Sequence, residues 1–253
     1  KAGHRMLDYR IRALTALLVA LLVAAVPTAG TAESWDIESS PIASRYSEPD
    51  DLFAEVCPVP AGFARGLVEM DGDFIVTDRH RDEIVVFDGS GGQIGTLIYP
   101  AYEPTALSHD GERLVAADRS NGRVYFLDPD TGECVHTIES PLTPIVALAC
   151  NGDGQLWIAA RGSDELQLVD PSDGTTLASI PAPAGRLSGL AYDPHGYLWA
   201  ADAGNDCLYL VDIRTGYTIF RLASPGPVPD GVWLTGEDLY VSDYQTDTLY
   251  RAD

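Results

Sequence analysis

Apolar and polar residues alternate with period two along most of this chain, in short runs separated by polar turns. Residues 114–132 read LVAADRSNGRVYFLDPDTG. An apolar run ends in Asp118, a polar turn follows, an alternating run ends in Asp128, and a glycine turn closes it. Residues 198–216, LWAADAGNDCLYLVDIRTG, repeat that order. Alternation of this length, bounded by Gly, Asn and Asp turns, predicts β-strands.

Five such units align. They start at Gly66, Ala106, Ala147, Gly189 and Gly231, spaced 40, 41, 42 and 42 residues apart. Each predicts four strands, A to D. Strand B reads FIVTD, LVAAD, LWIAA, LWAAD and LYVSD; strand C reads EIVVFD, RVYFLD, LQLVD and CLYLVD in the first four units. Four short strands per ~40 residues are the pattern of a propeller blade. One blade cannot bury both of its faces, so blades pack on one another around an axis. The fifth unit stops at Asp253, after strand C. The stretch LFAEVCPVPAGFARG (52–66) matches the end of the third unit, LASIPAPAGRLSG (177–189). Residues 52–57 are therefore expected to supply the missing D strand. The expected fold is an all-β, five-bladed propeller over residues 52–253, closed by an N-terminal strand that hides both sheet edges. The alternative is a six-bladed or larger propeller of which this chain is a part.

The blade pattern in AADAGNDCLYLVD (200–212) resembles the NHL repeat and the related YVTN-type propeller repeats. The resemblance covers residues 52–253. It implies the fold and no particular chemistry, because propellers host many unrelated activities.

The first 32 residues follow a different pattern. Arg10 and Arg12 precede the apolar run LTALLVALLVAAV (14–26), and TAGTA ends at Ala32. That is the order of a secretory signal peptide. The run is short of the ~20 residues that span a bilayer. Residues 1–32 are thus expected to be cleaved, leaving no membrane span, a linker over 33–51, and a periplasmic or secreted protein. Charge narrows the partners. With 38 acidic and 16 basic side chains the formal charge is −22, which repels phosphate backbones and excludes nucleic acid as the expected partner. The four cysteines, Cys57, Cys134, Cys150 and Cys207, match no metal spacing. Their places predict no pair close enough for a disulfide. Cys207, opening a C strand where other units carry Glu83, Arg123 and Thr248, is expected to be exposed and able to couple to another chain.

Two rows of residues recur at fixed blade positions. Asp78, Asp118, Asp202 and Asp243 end the B strands, with Arg161 read as the break in the third blade. They are candidate ligands for a divalent cation, although Asp opening a turn also accepts its own backbone N–H groups. The second row precedes the first small residue of strand A: Arg65, Thr105, Val146, Ser188 and Asp230. Its variation suits a binding mouth. Arg65 and Asp230 meet across the closure seam, either as a salt bridge or as ligand contacts. Trp233, near this mouth, is either core or a stacking surface. The segment PVPDGVWLTGEDLYVSD (227–243) resembles the PDG segment of the gluconolactonase, or senescence-marker-protein, family. That resemblance implies a metal-dependent lactonase with Asp230 as ligand and catalytic group. Where the family has a glutamate this chain has Arg65, and where it has an asparagine this chain has Ser188.

The expected function is a binding module that takes a protein, glycan or small molecule on the face carrying Arg65, Thr105, Arg161, Ser188, Asp230 and Trp233. It requires no cofactor. The alternatives are a lactonase-like hydrolase or lyase using a cation near Asp230, and a structural repeat of an envelope or matrix.

Overall fold

The computed structural model describes residues 52–236 and 238–252. The signal peptide and linker expected over 1–51 lie outside the described residues. Among the described residues, twenty strands form five four-stranded antiparallel sheets. Strand β1 (Phe53–Pro58) precedes the first blade. Blade one is β2 (Ala64–Met70), β3 (Asp73–Asp78), β4 (Glu83–Phe87) and β5 (Gln93–Ile98). Blade two is β6 (Pro104–His109), β7 (Leu114–Asp118), β8 (Arg123–Leu127) and β9 (Cys134–Glu139). Blade three is β10 (Ile145–Cys150), β11 (Leu156–Ala160), β12 (Glu165–Val169) and β13 (Thr176–Pro181). Blade four is β14 (Leu187–Asp193), β15 (Tyr197–Asp202), β16 (Cys207–Asp212) and β17 (Thr218–Ala223). Blade five is β18 (Pro229–Thr235), β19 (Asp238–Asp243), β20 (Thr248–Ala252) and, as its outermost strand, β1.

The ring therefore closes as expected, with β1 antiparallel to β20, Phe53 opposite Ala252 and Pro58 opposite Thr248. A repeated contact marks this closure. Each C–D turn ends in a left-handed glycine whose missing side chain leaves room for the D strand of the preceding blade. Gly132 sits on Ile98, Gly174 on Glu139 and Gly216 on Pro181; Gly91 sits in the same way on Pro58. The N-terminal strand thus occupies a D-strand place by packing as well as by hydrogen bonding.

The core lies between blades. Its five apolar clusters each join two consecutive blades, and the one between blades five and one includes Cys57, Val59, Leu67, Phe74 and Leu249. B strands are the most buried, as in LVAAD, where all five residues are inaccessible. D strands alternate outward, as in β5. Trp157 and Trp199 occupy equivalent B-strand places and are both buried, which accounts for their repetition as blade packing. Among the described residues no helix is long and apolar enough to cross a membrane.

Near the axis some A strands approach so closely that a side chain is excluded, as at Gly66, Gly189 and Gly231. A methyl group on Gly189 would meet the Asp230 carbonyl of the next blade. Backbone in a closed ring cannot retreat from such a contact, so Gly189→Ala is expected to lower stability by about 2 kcal/mol. A urea titration showing an unchanged midpoint would contradict that placement.

Candidate functional site

Every A strand carries a β-bulge where its register to strand B slips: Arg65/Leu67, Pro104/Ala106, Ile145/Ala147, Leu187/Gly189 and Pro229/Val232. Arg65, Thr105, Val146, Ser188 and Asp230 sit at these bulges. A bulge re-aims a side chain, which is why this row departs from strict alternation. All five lie at the end of the ring that carries the B–C loops and D–A connections, the loop face; Thr105, Ser188 and Asp230 are buried there, and Arg65 and Val146 are half-buried.

The row divides by chemistry. Thr105 Oγ1 donates to the Ile145 carbonyl at 3.2 Å, and Ser188 Oγ donates to the Pro229 carbonyl at 2.7 Å. Both acceptors belong to the next blade, and both hydroxyls are buried. These two residues stitch neighbouring blades together. At the seam, Arg65 Nη1 donates to Asp230 Oδ1 at 2.7 Å. Asp230 is fully buried, while Arg65 keeps 20% of its side chain exposed. Burial pushes the Asp230 carboxyl up to about 7; Arg65 opposes the rise and Asp243 adds to it. The Arg65 guanidinium carbon also lies 4.9 Å from the Phe63 ring centre and 5.9 Å from that of Tyr244. The two rings are themselves 4.3 Å apart. Arg65 therefore occupies the position a cation beside Asp230 Oδ1 would take.

The aspartates ending the B strands are consumed by backbone donors. Asp118 Oδ1 accepts from the N–H groups of Ser120 and Asn121, and its Oδ2 accepts from Tyr102 N–H at 3.0 Å. Asp243 accepts from Gln245 and Thr246 on one oxygen and from Val228 N–H at 2.6 Å on the other. Asp78 does the same with His80, Arg81 and Gly62. Asp202 holds Gly204 N–H and the Asn205 amide. Each carboxylate caps its own B–C turn, and three of them also pin the preceding D–A connection. Among the described residues no three His, Cys, Asp or Glu side chains group so as to hold a metal ion.

The structure corrects the position of Arg161. Ile145 pairs with Ala160 just as Pro104 pairs with Asp118 and Pro229 with Asp243. Ala160, not Arg161, stands in the aspartate place of blade three. Arg161 belongs to the next position, with Arg79, Arg119, Ala203 and Tyr244. One backbone hydrogen bond proves the equivalence: Arg79 N to Phe63 O, Arg119 N to Glu103 O, Arg161 N to Pro144 O, and Tyr244 N to Val228 O, all 3.0–3.2 Å. An arginine row that the sequence reading missed thus runs over blades one to three. The signal was present as DRH, DRS and ARG after each B strand.

Two further placements differ from expectation. Trp233 pairs with Tyr240, close to the A–B turn formed by Thr235 and Asp238, and packs into the clusters flanking blade one. It faces away from the mouth. Cys207 is buried against Tyr209 and Arg221, whereas Cys134 is exposed. All four cysteines are free thiols. Two cavities are notable. An open groove of about 740 Å³ lies on the opposite face at the seam, between Glu69, Phe74 and Tyr240. A smaller hollow of about 260 Å³ lies on the loop face, lined by Phe63, Arg79, His80 and Glu103.

No protein-family model matches the chain, and no curated protein matches it. Solved structures do match, and they show the fold. A glutaminyl cyclase of Myxococcus xanthus aligns with a TM-score of 0.70 at 15% identity, over 79% of this chain and 95% of that one. A chain of the nidogen/laminin complex aligns at 0.55 and 20% identity, over 75% of each. Virginiamycin B lyase from Staphylococcus aureus aligns at 0.50 and 16% identity, over 74% of this chain and 65% of that one. The chain is a five-bladed β-propeller.

Proposed function

We propose that this propeller is an exported binding module whose contact surface is the loop face. The observation that carries this reading is the uneven distribution of committed groups between its two faces. On the turn face the acidic residues Asp88, Asp110, Asp128 and Asp170 are spent on their own turns. On the loop face the residues after the B strands differ from blade to blade. Among the described residues, no carboxylate lies within 4 Å of the Arg119, Arg161 or Arg186 guanidinium. Charge without an ion-pair partner on one face is what a recognition surface presents. The leader-like residues 1–32 and the likeness of the blades to NHL-type repeats support an extracytoplasmic binding role. So does the presence of this fold in the nidogen/laminin complex.

The lactonase-like alternative has less support, because Arg65 fills the cation's place at Asp230 and the aspartate row is tied to backbone. Other enzyme chemistry on the fold, as in the glutaminyl cyclase, would need a group reachable by substrate; Asp230 has the right proton affinity and no accessible surface. The reading is tested by screening the immobilised chain against protein, glycan and small-molecule panels beside two variants. Arg161→Glu alters the loop face, and Tyr217→Asp alters an exposed residue of the turn face. Ligands that bind are expected to be lost by Arg161→Glu and kept by Tyr217→Asp. The reverse pattern would place recognition on the turn face and overturn the reading.

A further inference from the structure

Arg79, Arg119 and Arg161 come from the same position of three consecutive blades, so the ring sets them in an arc around the mouth. Arg65 lies inside this arc at its blade-one end, over the Phe63 ring. The guanidinium groups are near enough to act on one another. Burial, and then the positive charges of Arg161, Arg79 and Arg65, lower the proton affinity of Arg119, against the opposing charge of Glu103. Arg79 is engaged by Glu103 at 2.7 Å, and Arg65 by Asp230. Arg119 and Arg161 have no such partner among the described residues.

The plainest structural explanation is that the arginines balance the buried aspartates beneath them. The blade pattern contradicts it. Blade three carries Arg161 above Ala160, with no aspartate to balance. Blades four and five carry Ala203 and Tyr244, not arginine, at that position above Asp202 and Asp243; Arg186, beside Gly204 and Asp202, comes from the D–A connection instead. The two rows do not track each other, and the aspartates are already satisfied by backbone N–H groups. The arginine row needs another reason.

Resting on the loop-face reading, we propose that the arc of Arg79, Arg119 and Arg161 binds a small molecule bearing two or more carboxylate or phosphate groups. Guanidinium is planar and forms paired hydrogen bonds with both groups. Two uncommitted arginines on adjacent blades ask for two anionic groups on one ligand. Size follows from charge. At physiological salt a charge is screened within ~8 Å. A small polyanion stays inside the field of the arc, whereas a long one would run onto a protein surface whose formal charge is −22. The hollow between Phe63, Arg79, His80 and Glu103, about 260 Å³, borders the arc and suits a ligand of that size. A ligand carboxylate or phosphate reaching Arg79 would compete with Glu103 for it.

The test is calorimetric titration of the whole chain with citrate and with pyrophosphate at about 150 mM salt, with acetate as the single-charge control. One of the two polyanions is expected to bind saturably, one molecule per chain, and at least about tenfold more tightly than acetate. Citrate alone binding identifies a carboxylate ligand, and pyrophosphate alone a phosphate ligand. Arg119→Gln and Arg161→Gln are each expected to weaken binding about tenfold, whereas Arg123→Gln, on the outer rim beside Glu139, leaves it unchanged. Arg161 is exposed, so its variant keeps the test valid if Arg119→Gln misfolds. Absence of saturable binding by either polyanion, or binding indifferent to Arg161→Gln, overturns the proposal. If anions fail while panel ligands still depend on Arg161, only this inference falls. If panel ligands are also indifferent to Arg161, the loop-face reading falls with it.

Discussion

A chain shortened to begin at residue 59 is expected to lose its cooperative fold. The missing strand β1 supplies the whole outer ladder of blade five, along β20. It also takes Leu52, Phe53, Val56 and Cys57 out of the clusters on both sides of that blade. Burial of that apolar surface is worth on the order of 5 kcal/mol, comparable with the entire stability of many domains. The loss uncovers the β20 edge, whose free N–H and C=O groups then template pairing between chains. Size-exclusion chromatography should show aggregates, and thermal melts followed by circular dichroism should show no sharp transition. A monomer with an unaltered melting temperature would mean that β1 merely decorates a ring complete without it.

Arg65→Ala is expected to change how stability depends on pH, not simply to lower it. The folded Asp230 carboxyl titrates at about 7, against roughly 3.9 when unfolded. Between those values the folded state holds the extra proton, so this group makes stability fall as pH rises, by about 4 kcal/mol in total. Above pH 7 the carboxylate is ionised and paired with Arg65, and its contribution levels off. Without Arg65 the buried carboxyl keeps its proton to higher pH. The decline then continues at about 1.4 kcal/mol per pH unit. Proton uptake thus keeps the damage near neutral pH below the 3–5 kcal/mol often seen for broken buried pairs. Loss of the contacts with Phe63 and Tyr244 adds ~1 kcal/mol at every pH. The variant should therefore be about 1 kcal/mol less stable than the wild type at pH 5 and about 3 kcal/mol less stable at pH 8.5. Asp230→Asn should remove the slope between pH 4 and 7. Urea midpoints measured across pH 4 to 9 decide the matter; parallel curves for wild type and Arg65→Ala would show that the two side chains are not coupled.

Much of this architecture was readable from residues alone. The period of 40 to 42 residues comes from blades that pack by the same contacts, so each must repeat the same apolar positions. The closing strand was readable because Pro58 and the PVPAG that contains it copy a D strand and its exit. The row from Arg65 to Asp230 was found by the opposite signal, variation within a repeat. The arginine row was missed for a narrow reason. Blade three ends strand B with two alanines, so Arg161 looked like a replaced aspartate until the pairing of Ile145 with Ala160 fixed the register. Cys207 was misplaced because its counterparts are charged or polar, and strand position does not reveal that Tyr209 and Arg221 cover it. Trp233, read as either core or a stacking surface, is core. Two residues beyond the Asp230–Gly231 bulge, the strand has already carried it toward the A–B turn.

Arginine footprinting tests most directly whether the loop face is what this ring presents to ligands. The native chain would be treated with phenylglyoxal, with and without citrate or pyrophosphate, and each arginine followed by mass spectrometry. Arg119 and Arg161 are expected to react in the free protein and to become protected by the polyanion that binds, while Arg123 and Arg221 stay reactive throughout. Protection spread evenly over all four, or confined to the rim, would contradict a binding site at the mouth.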